Sequence, residues 1–152
     1  MKRPKNKSRS DKQPKVAKEP AYAKTPYAKN TPEIEGGHLA WRFSACDRGG
    51  RWAWTNLQPA EKYKETVEKL HAFEKMNWNQ ILDNGCHPIS LGDIAKEAHD
   101  RLREINMDDL DELMSFRLSG KNRVWCVRSK SIMRILWWDP DHTVCPALKK
   151  HT

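Results

Sequence analysis

Arg117, Lys121 and Arg123 stand within seven residues of one another, and His142 follows one apolar run later. These residue types suit a phosphodiester. An arginine grips two phosphate oxygens at once and meets the charge that grows on them as bonds change. A histidine gives or takes a proton near neutral pH. Breaking an RNA chain asks little more. The 2′-hydroxyl is the nucleophile, so a protein need only align it, neutralise the phosphate and protonate the leaving oxygen. The plainer reading is that arginine and lysine in β-turns are merely solvated, and spacing alone leans towards it.

Three strands would have to position these groups. Leu113 to Leu118 reads as the first, with Ser119-Gly120-Lys121-Asn122 as its turn. Arg123 to Arg128 reads as the second, Ser129-Lys130-Ser131 turns again, and Ile132 to Trp138 is the third. Short turns between adjacent apolar runs predict an antiparallel meander. On the first strand Ser115 and Arg117 then face away from Met114, Phe116 and Leu118. Asp139-Pro140 breaks the third strand, and His142 to Cys145 reads as a short final piece.

Two helices are expected before the meander. Asn56 and Pro59 open the first, and Tyr63, Val67, Leu70, Phe73 and Met76 or Trp78 supply an apolar stripe. Asp83 to Pro88 reads as the link. The second starts at Ser90 with Asp93 as a capping pair, and Leu91, Ile94, Ala95, Ala98, Leu102 and Ile105 form its face. Upstream, Leu39, Trp41 and Phe43 alternate, Asp47-Arg48-Gly49-Gly50 supplies turn chemistry, and Trp52 and Trp54 alternate again. That pattern predicts a Trp-rich hairpin over 38–55. The whole gives an α+β fold in two layers, with two helices packed on an antiparallel β-meander.

Composition divides the chain at about residue 36. Residues 1–36 contain five Pro, and ten Lys or Arg fall within the first 30 positions against Asp11 and Glu19. Such a stretch cannot bury enough apolar surface to offset the entropy of ordering it, so a disordered basic tail is expected over 1–36 and one domain over 37–152. Residues 31–152 are neutral, with 18 bases and 18 acids. They are polarised, however. Residues 61–112 hold thirteen acids and seven bases, whereas residues 113–152 hold eight bases against Asp139 and Asp141. The basic end, including Lys121, Arg128, Lys149 and Lys150, is the natural face for RNA. No apolar run is long enough for a membrane span, and no leader is evident, so a cytoplasmic protein is expected.

Cys86-His87 with His142-x-x-Cys145 offers two Cys and two His, though not at the spacing of a known zinc finger, and no metal or cofactor is expected. Trp54, Trp125, Trp137 and Trp138 could stack on bases, but aromatic residues on strands are more often core.

The stretch Ser115-Phe116-Arg117-Leu118-Ser119-Gly120-Lys121-Asn122-Arg123-Val124-Trp125-Cys126-Val127-Arg128, followed by Ile132 to Trp138 and then His142, resembles the end of the RelE/YoeB/HigB family of bacterial toxins. The match spans roughly residues 56–145 and is strongest over 113–145. The resemblance implies an mRNA endonuclease, ribosome-dependent or free, neutralised by an antitoxin protein. It places Arg123 at the family's phosphate-stabilising arginine, Arg117 at a second basic position, and His142 at the terminal general acid. It implies a general base near the end of the second helix, where Glu104, Asp108 and Glu112 are alternatives. The rival expectation is a non-catalytic nucleic-acid-binding or protein-interaction module of the same fold.

Overall fold

A computed structural model describes residues 38–146. The tail over 1–36, and Lys149 and Lys150, lie outside the described residues. The chain order is β1 (Ala40–Arg42), α1 (Ala60–Glu74), α2 (Trp78–Asp83), β2 (His87–Ser90), α3 (Lys96–Glu104), β3 (Glu112–Ser119), β4 (Asn122–Ser129) and β5 (Ile132–Asp139). Short 3-10 turns lie at Trp54–Asn56 and Leu91–Asp93. The fold is α+β, built on a five-stranded mixed sheet in the order β1-β5-β4-β3-β2.

Strands β3, β4 and β5 form consecutive antiparallel pairs, and β1 joins the far edge parallel to β5. The last three strands are rich in β-branched and aromatic residues and are mostly buried, as strands covered on both faces are.

Both faces are indeed covered. On one face Leu70 and Phe73 of α1 and Ile81 of α2 pack on Met114, Phe116, Val124, Cys126 and Ile135. On the other, Ala98 and Leu102 of α3 pack with Leu113, Trp125, Val127, Leu136 and Trp137. The expected two-layer arrangement, with both helices on one side, is therefore corrected to a sheet between helices. The divided apolar set along β3 to β5 requires it, because each face must be kept from water.

The expected hairpin over 38–55 is also corrected. Only Ala40–Arg42 is a strand, and it pairs with Ile132–Arg134 rather than with residues 52–54. Past Arg42 the chain loops but still tracks the edge of β5. The Asp47 N–H donates to the Leu136 carbonyl at 2.9 Å, and the Trp138 N–H donates to the Trp52 carbonyl at 3.0 Å. Leu136 is the extra residue of a β-bulge, where pairing jumps from Trp125↔Trp137 to Cys126↔Ile135.

The helical stripe and start points shift too. In α1 the buried residues are Thr66, Leu70 and Phe73, while Tyr63 is 52% exposed and Val67 45%. Asn77 caps a separate α2 with a full capping box with Gln80, so Trp78 belongs to the next helix. Ser90 ends β2 and accepts a hydrogen bond from the Gly92 N–H in a 3-10 turn. Helix α3 begins only at Lys96.

Candidate functional site

Arg117 on β3 lies directly opposite Arg123 on β4, and Arg123 lies directly opposite Asp139 on β5. The next row along the sheet is Ser115, Trp125 and Trp137, and it continues on β2 to His87. Residues two apart on a strand share a face. So by register Arg117, Arg123, Asp139 and His87 fall on the α3 side of the sheet, the arginines next to the turn that joins β3 to β4.

His142 reaches this group because Asp139 folds the chain back. Asp139 is fully buried. Its carboxylate accepts from the Thr143 N–H at 2.9 Å, the Thr143 hydroxyl at 3.1 Å and the Val144 N–H at 3.0 Å. It also accepts from the Trp125 indole N–H at 3.1 Å. Four donors satisfy a buried carboxylate, and three of them come from the segment beyond β5. The turn is tight enough to force His142 into the left-handed region, at φ 58°. Val144 lands in the core of the α3 face and anchors the return. The expected strand over 142–145 is absent among the described residues, and a carboxylate-bound turn stands there instead.

The electrostatics match the geometry. Burial lowers the His142 pKa from its ordinary value, the Arg123 charge lowers it further, and His87 adds a smaller push in the same direction. Asp139 opposes them. Arg123 is depressed as well, first by burial and then by the Arg117 charge. Two like charges facing each other across a strand pair are unfavourable unless an anion sits between them.

Neither arginine is committed to a protein carboxylate. Among the described residues, ion pairs involve Arg51, Lys62, Arg101 and Arg103, not Arg117 or Arg123. One nitrogen of Arg123 donates to the Gly120 carbonyl at 2.6 Å and the Asn122 carbonyl at 3.1 Å, tying the guanidinium to the β3–β4 turn. Arg117 runs its stem along Gly85, where an added Cβ would stand 3.2 Å from the Arg117 Cδ. Gly85 also has a φ of +80°, so both backbone and contact favour glycine there.

Arg117 and Arg123 are thus paired by strand register, and the turn after β5 puts His142 within range of the Arg123 charge. Lys121 is exposed in the adjoining turn. Arg128 is elsewhere: its guanidinium lies 4.2 Å from the Trp78 ring centroid, on the α1–α2 side. The proposed bases do not converge. Glu104 is ion-paired with Arg101 on α3, and Glu112 sits opposite Ser90, at the other end of β3 from Arg117. Asp108 is exposed in the loop after α3. His87 was missed as a partner of the arginines because β2, a four-residue edge strand containing proline, gives no alternating pattern.

Cys86 is buried, and its sulfur accepts from the Arg117 N–H at 3.4 Å, while the Cys145 thiol donates to the Asp93 carbonyl at 3.3 Å. The two thiols thus serve different parts of the fold, and no group of three or more metal-ligating side chains forms among the described residues. Trp125, Trp137 and Trp138 are core residues, leaving only Trp54 of the four partly open.

An open cleft of about 530 Å³ borders Arg117 on the α1 side. Arg117 lines it, but Arg123 and His142 do not. No protein-family model, curated protein or solved structure matches the chain. No helix among the described residues is long and apolar enough to cross a membrane.

Proposed function

We propose that this protein is an RNA endonuclease of the RelE-like toxin kind, cutting mRNA through the 2′-hydroxyl and held in check by an antitoxin. The observation that carries the reading is the facing pair Arg117 and Arg123, neither of them in an ion pair, with the turn held by Asp139 bringing His142 within range of the Arg123 charge.

The chemistry follows from those groups. Arg117 and Arg123 bind the two non-bridging oxygens and stabilise the charge that builds on them. His87 accepts the 2′-hydroxyl proton as that oxygen attacks phosphorus. The bond to the 5′-oxygen breaks, and imidazolium His142 protonates it. The products are a 2′,3′-cyclic phosphate and a 5′-hydroxyl. His142 is depressed while the site is empty, and a bound phosphodiester offsets the Arg123 charge, allowing it to carry the proton it must give.

In this reading the protein works in the cytoplasm. Lys121 adds a phosphate contact, and Lys149, Lys150 and the basic stretch over 1–36 add electrostatic attraction. Arg128 contributes less, being stacked on Trp78. The antitoxin would present acidic side chains to the Arg117–Arg123 face.

Induced expression in a bacterial host, wild type beside Arg123→Ala, tests the reading. Growth arrest with cleavage of a reporter mRNA in the wild type alone is expected. Normal growth and intact mRNA in both would replace it with the non-catalytic binding module.

A further inference from the structure

Away from Arg117 and Arg123, a second pair of arginines faces across two strands, at the β1 edge of the sheet. Arg42 on β1 lies directly opposite Arg134 on β5. Trp41, Met133 and Ile135 pack into the core on the α1 side, so by alternation Arg42 and Arg134 fall on the α3 side. Neither makes an ion pair among the described residues. The Arg134 Nε is buried and has no hydrogen-bond partner among them. A buried donor without an acceptor is costly, and so are two like charges directly opposite on a sheet; an anion relieves both.

The same edge carries an open aromatic pair. Phe43, the residue after Arg42, is 53% exposed. Its ring centroid lies 5.8 Å from that of the half-buried Trp54, at an interplanar angle of 72°. The surroundings are basic. Between His38 and Ala60 the only acid is Asp47, which is buried and bound to Arg101. Arg51 is paired with Glu97, but Arg42 and Arg48 are exposed and make no ion pair among the described residues.

We propose that the β1 edge is a binding surface for single-stranded nucleic acid, with a phosphate on Arg42 and Arg134 and a base stacked on Phe43. Consecutive Cα atoms stand about 3.8 Å apart, so the cation and the ring serve one nucleotide. No further strand covers β1, which ends the sheet. Aromatic rings that take base faces, set among cations that track the backbone, hold single strands with little regard for sequence. A double helix keeps its base faces covered and has no use for Phe43. An acidic peptide would engage the arginines alone. The surface stands apart from the endonuclease reading, because binding here needs no cleavage and none of its residues belongs to the Arg117–Arg123 group.

The test is fluorescence anisotropy of a labelled 2′-O-methyl oligouridylate of about ten nucleotides, titrated with the full-length protein. With its 2′-oxygens capped, the strand cannot be cut through them. Phe43→Ala is expected to weaken binding about tenfold, the size of one stacked base, without changing the salt dependence. Phe43→Trp is expected to keep the affinity. Arg42→Gln is expected to lower the slope of log affinity against log salt by about 0.7. Phe43 and Arg42 are exposed, and the melting temperature of each variant checks its fold. Unchanged affinity in Phe43→Ala, whatever Arg42→Gln does, would overturn the proposal, as would an equal loss in Phe43→Ala for a duplex of the same length. Stacking-dependent binding by a protein that cuts no RNA would sink the endonuclease reading alone, and cleavage with undiminished binding in Phe43→Ala would sink this one alone.

Discussion

One buried carboxylate, Asp139, positions both Arg123, which it faces across the sheet, and His142, whose turn it binds. Arg123 is fixed by strand register and the β3–β4 turn. His142 is fixed by the hydrogen bonds to Asp139 that pull Thr143 and Val144 inward. The relationship leaves the arginine's charge bearing on the imidazole, and several expectations come from it.

His142 should titrate below the ordinary histidine range, since burial and then Arg123 both disfavour its cation. In Arg123→Ala its pKa should move up, because both causes weaken. NMR titration of the imidazole protons measures this. The sign for stability follows. The unfolded chain takes up the proton first, so this residue lowers stability as pH falls through about 6.5 towards its folded pKa. Adding a short RNA should also raise the value in the wild type.

Asp139→Ala should cost about 3–5 kcal/mol, because it strands the Trp125 indole N–H and two backbone N–H groups in the interior. A fall in melting temperature of more than about 10 °C is the corresponding readout. Asp139→Asn keeps one acceptor oxygen and should lose less. Both should release the 140–144 turn, so RNA cleavage should fall even in the milder variant at temperatures where it remains folded.

A second buried carboxylate governs acid stability. Asp47 accepts from Arg101 Nε at 2.8 Å and from a second Arg101 nitrogen at 2.7 Å, and from the Trp137 indole N–H at 2.9 Å. Burial alone would raise its pKa, but the bonds from Arg101, Trp137 and Gly49 together win and hold it below the usual carboxylate value. Its contribution is therefore present above the unfolded pKa, near 3.9, and lost as pH falls through the lower folded value. Denaturant melts at successive pH values should show this loss in wild type and a flatter profile in Asp47→Asn. Arg101→Met, which leaves the carboxylate buried without its cation, should cost about 2–4 kcal/mol at neutral pH.

Deleting residues 1–36 should weaken RNA binding and make it less salt-dependent. Each lost phosphate contact removes about 0.7 from the slope of log affinity against log salt. Cleavage at saturating RNA should remain, because Arg117, Arg123, His87 and His142 all lie outside the deletion. Binding titrations at several salt concentrations, with cleavage assayed beside them, separate the two effects.

The three C-terminal strands could be read from the sequence to within a residue or two, because their apolar runs are long and their turns short. That reading also put Arg117 and Arg123 near each other. Other features depended on contacts distant along the chain. Trp52 and Trp54 alternate like strand residues, yet Trp52 stacks near Trp137 and donates its indole N–H to Thr143, 91 positions away. Pairing of β1 with β5 spans a similar distance and leaves no local pattern. His87 joined the site only through the register of β2 with Ser115. Tyr63 and Val67 fit a helical stripe, but the sheet meets α1 along Thr66, Leu70 and Phe73 instead.

The central claim is most directly tested by mapping the ends of transcripts made in cells expressing wild type or Arg123→Ala. The account expects wild-type fragments ending in 2′,3′-cyclic phosphate, and none in Arg123→Ala when that variant melts within a few degrees of wild type. Full-length transcripts in the wild type, or the same fragments from the variant, would contradict it.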